Sequence, residues 1–180
     1  MKIMLPDMLS VFYALGLAKR FPQDGDVFLW ADSSILILCD PRQVVMEYWN
    51  CTIESPDILA FLHPDRVDLE KEAMAAHELR GTNIDKAQEQ VAYYRSKGFT
   101  KNIQKSITVT NFLFRMQSPR LKQLAKEWWS QIVCFTERDQ LSIDFCIWKH
   151  NLIVKYLPGS HKNSPLMRFY PHSREISKKQ

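Results

Sequence analysis

An α/β fold with a mostly parallel sheet is predicted by three features of this 180-residue chain. Short apolar runs (VFLWADSSILIL, DILAFLH, SITVTNFLF and LIVKY) alternate with longer segments of helical spacing. Helix boundaries stand between them, with Asp40-Pro41 suited to open a helix and Gly81 and Gly98 placed to end two others. Hydrophobic residues make up 46% and charged residues 24%, which suits a packed domain and excludes a disordered chain. Strands separated by helices favour a parallel sheet, whose ligands sit beyond the carboxyl ends of the strands.

The elements follow in order. Residues 8–20 read as an apolar helix closed by Phe21-Pro22, and Gln23-Asp24-Gly25-Asp26 as a turn. Residues 27–38 give the strongest strand signal, two apolar runs interrupted by Asp32-Ser33-Ser34. A helix runs from Pro41 to about residue 51, with Asp40 as its N-cap. Residues 57–63 form a short buried strand, which the chain leaves through His63-Pro64-Asp65-Arg66. Helices cover about 67–80 and 85–97, and residues 106–114 form a β-branched strand. A helix from Pro119 carries Leu121, Leu124, Trp128 and Ile132 on one face, a second helix spans 137–150, and a strand at 152–156 closes the core.

Residues 1–156 are expected as one domain and 157–180 as a basic tail. The tail carries Lys162, Arg168, Arg174, Lys178 and Lys179 against Glu175, the whole of the net charge of +4. A neutral body argues against a nucleic-acid face, which would spread cations over an element of the fold. Such a tail suits an anionic ligand, a partner chain or a membrane surface, or is a solvated terminus. The cysteines lack C-x-x-C spacing, and Cys39, Cys134 and Cys146 lie among apolar neighbours as buried free thiols. With no leader and no apolar run long enough to span a bilayer, the expected location is cytoplasmic.

Three polar clusters interrupt apolar supports. Asp32 with Ser33 and Ser34 makes an oxygen-rich corner of the kind a hard divalent cation prefers, or a turn that caps local amides. His63 is placed for a metal or a hydroxyl and Arg66 for a carboxylate or phosphate, whereas Asp68 and Glu72 suit the dipole of an opening helix. In FTERDQLSIDF, Thr136 and Asp139 fit a capping box, which leaves Arg138 and Gln140 unexplained. If Asp139 faces a pocket, its carboxylate can accept from sugar hydroxyls or act as a base. Trp128 shares the apolar face of its helix, while Trp129 is turned away from it as a candidate surface or glycan contact.

Four stretches, AKRFPQDGDVFLWADSSI, FLHPDRVDLEKEA, QEQVAYYRSKGF and LKQLAKEWWSQIVCFTERDQLSIDFCIWK, together resemble a glycosyltransferase-like family of plant cell-wall and mucilage proteins and bacterial polysaccharide loci. The resemblance covers about residues 18–149. It implies a GT-A-like, Rossmann-like fold and transfer of a sugar from a nucleotide-sugar to a glycan or polysaccharide acceptor, commonly with Mn²⁺ or Mg²⁺. Asp32 stands at the family's W-x-D position, where Ser34 replaces a second acid, with His161 and His172 as candidates to complete a metal shell. Arg138, Asp139 and Gln140 match the family's R-D-Q, expected at the catalytic centre. His63 and Arg66 match its H-P-x-R, and with Asn111 and Trp129 they are the expected substrate contacts. Only 31 residues precede Asp32, about the ~30 that one βαβ unit needs, and they read as one helix and one strand. The expected fold is therefore N-terminally shortened, and a non-catalytic glycan-binding or partner-dependent remnant is the alternative function.

Overall fold

The computed structural model describes residues 23–49, 55–104 and 106–170. The helix expected at 8–20 and the candidate ligand His172 lie outside the described residues. A four-stranded sheet contains β1 (Val27–Ala31), β3 (Ile58–Ala60), β4 (Phe112–Met116) and β5 (Val154–Tyr156), in the order β1-β4-β3-β5. A separate two-stranded sheet pairs β2 (Ile35–Ile37) with β6 (Met167–Phe169). The helices are α1 (Pro41–Tyr48), α2 (Leu69–Arg80), α3 (Ile84–Ser96), α4 (Pro119–Cys134) and α5 (Ile143–Lys149).

The expected mostly parallel sheet is corrected to a mixed one. β4 runs antiparallel to both β1 and β3, and only the β3–β5 pair is hydrogen-bonded in parallel. β4 lies between β1 and β3, so those two strands share a direction without touching. Leu29, Phe114, Leu59 and Lys155 form one row across the sheet. The carboxyl ends of β1, β3 and β5 therefore meet the start of β4 along a single edge.

The single strand expected over 27–38 is two strands in two sheets. After Ala31, the Asp32 amide donates to the Asn111 carbonyl (2.9 Å) and the Ile35 amide to the Asp32 carbonyl (2.9 Å). Asp32-Ser33-Ser34 is thus the corner at which the chain changes sheets. The strand expected at 106–114 begins six residues later, at Phe112. Ahead of it, Leu62 and Thr108 form an isolated bridge.

The sheet packs on both faces, as the alternation along β3 dictates. Ile58 and Ala60 join the cluster with Leu69, Tyr94, Leu124, Trp128 and Phe145, beneath α2 to α5. Leu59 and Phe61 face the other cluster, with Val44, Trp49, Phe114, Leu157 and Met167. Residues Leu157 and Met167, from the basic segment, are thereby part of the core.

Several helix boundaries follow the expected chemistry. Asp40 accepts from the Arg42 amide (2.9 Å), with Pro41 in the first turn. Asp68 caps α2 by accepting from the Lys71 amide (2.8 Å), and Gly81 ends it at φ 73°. Gly98, at φ 95°, follows α3, and a Cβ there would stand 3.7 Å from the Trp148 ring. Of the thiols expected to be buried, only Cys146 is; Cys39 is half-buried, and Cys134 is exposed at the last residue of α4, beside exposed Val133. No helix among the described residues is long and apolar enough to cross a membrane.

Candidate functional site

The strongest polar constellation is centred on Glu72, which projects from the first turn of α2 and is fully buried. Arg66 donates from Nε to its Oε2 at 2.5 Å, and Gln140 donates from Nε2 to the same oxygen at 3.2 Å. Arg138 donates from Nε to Oε1 at 2.9 Å. One carboxylate with four lone-pair sites thus holds two guanidinium groups and an amide. The side chains of Arg66 and Arg138 keep 22% and 21% of their surface exposed, against 1% for Glu72. Both arginines use Nε inward, and among the described residues the terminal nitrogens of Arg66 have no hydrogen-bond partner in the protein. The two arginines and the one acid sum to a single positive charge.

Glu72 is therefore more than a dipole residue: its side chain enters the core and joins the H-P-x-R and R-D-Q segments. A buried carboxylate needs such cations, because its desolvation is otherwise too costly. Sequence reasoning missed this role, since at the opening turn of a helix an acid has a sufficient local explanation. Both polar segments carry more acids than bases, so their composition gave no sign that Glu72 was the shared counter-ion.

His63 organises the loop that delivers Arg66. Its Nδ1 accepts from the amides of Asp65 (3.1 Å) and Arg66 (3.0 Å), which assigns the ring proton to Nε2. The His161 ring packs against it, with centroids 5.7 Å apart. His161 also meets Phe169 on β6 edge-on, and Lys162 pairs with Asp65. Burial, then Arg66 and His161, pushes His63 down to about 4. Burial, then Lys162 and Arg66, does the same to His161. Both rings are neutral near pH 7.

The expected helix over 137–150 and its capping box are corrected. Asp139–Leu141 is a 3-10 turn with no side-chain cap, and α5 begins only at Ile143. Thr136 donates to Gln90 Oε1 (2.7 Å) in place of capping, while Gln90 donates to the Tyr94 hydroxyl (2.7 Å). The turn is held from below by the Trp128 indole, which donates to the Asp139 carbonyl at 3.0 Å, and by Ser142 Oγ, also at 3.0 Å. Trp128 is fully buried, whereas Trp129 is 45% exposed on the far side of α4. Trp129 accordingly lies apart from the Glu72 cluster.

A second polar chain lies beside the first. Asp144, in the first turn of α5, accepts the Thr108 amide on Oδ2 at 3.0 Å. Thr108 Oγ1 meets the Tyr156 hydroxyl at 3.0 Å. Burial pushes the Asp144 carboxyl up to about 6, and nearby Glu72 acts in the same direction. Burial and the Asp144 carboxylate raise Tyr156. Asp144 escaped the sequence reading because one acid near a helix start looks like solvated polarity.

The structure places Asp32, His63 and Asn111 on the one edge defined above, with His161 packed on His63. It does not gather a cation shell. Asp32 Oδ1 accepts the Trp30 indole at 2.6 Å, and the nearly buried Ser34 uses its carbonyl for the Tyr170 amide. Among the described residues no three His, Cys, Asp or Glu side chains form a group that could hold a metal ion. Asp32, Ser34 and His161, the described members of the expected ligand set, do not come together in such a group. An open groove of about 520 Å³, lined by Tyr93, Lys97, Phe145, Trp148, Lys149 and Asn151, lies elsewhere, between the C-terminal ends of α3 and α5.

The fold and site thus define an α/β domain that presents a buried-acid, twin-arginine cluster beside the carboxyl ends of aligned strands. A family model described as TOD1/MUCI70, glycosyltransferase-like domain, matches residues 17–162. The chain belongs to that glycosyltransferase-like family. No curated protein and no solved structure matches it.

Proposed function

We propose that this domain transfers a sugar from a nucleotide-sugar to a glycan or polysaccharide acceptor, and that Arg66 and Arg138 hold the diphosphate of the donor. The observation that carries this reading is the convergence of Arg66, Arg138 and Gln140 on fully buried Glu72. Glu72 fixes both guanidinium groups through Nε, so their orientation is set before a ligand arrives. Fixed cations of this kind stabilise charge that develops on a departing diphosphate, with little reorganisation at the moment of reaction. The terminal nitrogens of Arg66 and the Nη1 of Arg138 match phosphate oxygens, while Arg138 Nη2 is given to Gln140 Oε1 at 3.4 Å.

The remaining expected residues take supporting parts in this reading. His63 positions Arg66 through the two loop amides, and neutral His161 backs it without adding charge. Asp139 and Gln140 line the sugar side, on a turn held by Trp128. Asp32 and Asn111 meet where the corner begins and contribute polar groups to the same edge. No step depends on a metal ion.

Calorimetric titration of UDP and of GDP, each with Mn²⁺ and with EDTA, tests the reading on wild type, Asp32→Ala and Arg66→Ala. The expected result is binding in EDTA that survives Asp32→Ala and is weakened roughly 10- to 100-fold in Arg66→Ala. Absence of binding by either nucleotide under both conditions overturns it.

A further inference from the structure

We propose that the open groove between the C-terminal ends of α3 and α5 binds an acidic polysaccharide, taking sugar rings that carry a carboxylate. The inference goes beyond the transfer reading and uses none of the residues around Glu72. At about 520 Å³ the groove has the size of an ordinary ligand site. Tyr93, Phe145 and Trp148 line it in series. The Tyr93 ring meets Phe145 edge-on at 6.2 Å, and Phe145 lies 5.9 Å from Trp148. Phe145 is buried, while Tyr93 and Trp148 keep part of their surface exposed. Gly98 adjoins the indole and has no side chain to cover it; a Cβ there would stand 3.7 Å away.

The polar groups set the class of ligand. Lys97, at the C-cap of α3, and Lys149, the last residue of α5, line the groove, and no acid does. Lys97 Nζ stands 5.3 Å from the Tyr93 ring centroid and makes no ion pair among the described residues. Lys149 Nζ stands 5.8 Å from the Phe145 centroid and is tied to Glu127 at 2.8 Å. The side-chain amide of Asn151 has no hydrogen-bond partner among the described residues, and its backbone adopts φ 50°. A lysine at each helix C-terminus suits the dipole, which explains the two cations but not the aromatic rings held open beside them.

Each part of the lining selects one feature of the ligand. The aromatic surface suits the flat C–H face of a pyranose, the lysines need an anion, and the Asn151 amide can donate to and accept from hydroxyls. A nucleoside diphosphate fits less well. It concentrates its charge on one pair of phosphates, whereas the lysines come from two helices as separate point charges. Single carboxylates spaced along a chain of uronate rings match them. An open groove, unlike a closed pocket, admits a polymer along its length.

Calorimetry and tryptophan fluorescence with hexamers of mannuronate and of galacturonate test the proposal. The methyl ester of the galacturonate hexamer keeps the rings without the charge, and polyglutamate keeps the charge without the rings. UDP and GDP are titrated alongside. The variants are Lys97→Ala, on an exposed side chain with no ion pair to lose, and Trp148→Phe, which keeps an aromatic ring in the groove. Wild type is expected to bind a uronate hexamer with a change in fluorescence, more weakly as salt rises. The ester should bind about 10-fold more weakly or worse, and Lys97→Ala should weaken the hexamer by roughly 10-fold. Trp148→Phe should lose most of the fluorescence change, while nucleotide affinity stays within about twofold in both variants. No binding of either hexamer, or equal binding of the ester or of polyglutamate, overturns the proposal. So does hexamer binding that neither variant alters, or a nucleotide that displaces the hexamer. Hexamer binding without nucleotide binding supports the groove and overturns the transfer reading alone.

Discussion

Two carboxylate–arginine sites at opposite edges of the main sheet show how the same residue types can be arranged for different ends. At the edge where β3 begins, buried Asp57 accepts both oxygens' bonds from Arg120 Nη2 (3.1 Å each) and takes the Ile153 amide at 2.9 Å. One acid meets one arginine whose side chain is 53% exposed, so the charges cancel and the arginine reaches water. At the other edge Glu72 is 1% exposed and shares itself between Arg66 and Arg138. One acid there serves two cations, which both keep part of their surface exposed. The first site ties strands together, while the second keeps two cations rigid and available.

The contrast is easiest to break at Glu72. Glu72→Ala leaves two arginines in a partly buried site without their counter-ion, and is expected to cost about 3–5 kcal/mol or prevent folding. Asp57→Ala leaves a half-exposed arginine that water can serve, and should cost about 1–3 kcal/mol. Urea denaturation of both variants measures the difference, and equal losses would show that the edges are energetically alike. Arg66→Ala and Arg138→Ala should each weaken UDP or GDP binding by roughly 10- to 100-fold, matching one charged hydrogen-bonding group. Arg120→Ala should leave that affinity within twofold.

Two smaller effects sharpen the comparison. Trp128→Phe removes the indole bond to the Asp139 carbonyl and some buried volume, which should cost roughly 1–2 kcal/mol. Trp129→Ala, on the exposed face, should change stability by less than about 0.5 kcal/mol in the same denaturation series. His63 and His161 add a pH dependence. Each has a folded-state pKa of about 4, below the ordinary 6.5, so the unfolded chain binds more protons between those values. Their contribution is complete above about 6.5 and is lost as pH falls toward 4. Asp144 acts in the opposite sense, because burial favours its protonated form as pH falls below 6. The clean readout is therefore a difference: between pH 7 and pH 5 the His161→Gln melting temperature should fall less than that of wild type.

Residues whose chemistry is local could be read from the chain alone. Asp40-Pro41 and Gly81 mark helix ends through bonds to near neighbours, and the structure places them as expected, whereas Asp68, read as a dipole residue inside its helix, is the N-cap. Trp128 followed from its spacing with Leu121 and Leu124, and all three are buried. The direction of β4 was not legible, because the alternation of strands and helices fixes neither strand order nor the sense of each crossover. Glu72 was hidden for a related reason. Its partners lie 6, 66 and 68 residues away, and no local pattern records a counter-ion at that separation. The W-x-D, H-P-x-R and R-D-Q segments could be read as three clusters. That H-P-x-R and R-D-Q share one carboxylate could not.

The corner at Asp32-Ser33-Ser34 has a consequence for the order in which the protein is made. β1 pairs with β4, so its partner emerges when Met116 has been synthesised. β2 begins three residues beyond that corner's first residue, yet among the described residues it pairs only with Met167–Phe169. During translation the Ile35–Ile37 edge therefore waits for more than 130 residues while the main sheet can already assemble. Leu36 and Ile37 remain 47% and 39% exposed even afterwards. A nascent chain with an open apolar edge is a natural client for a chaperone, and clipping that removes β6 would return the finished protein to that state.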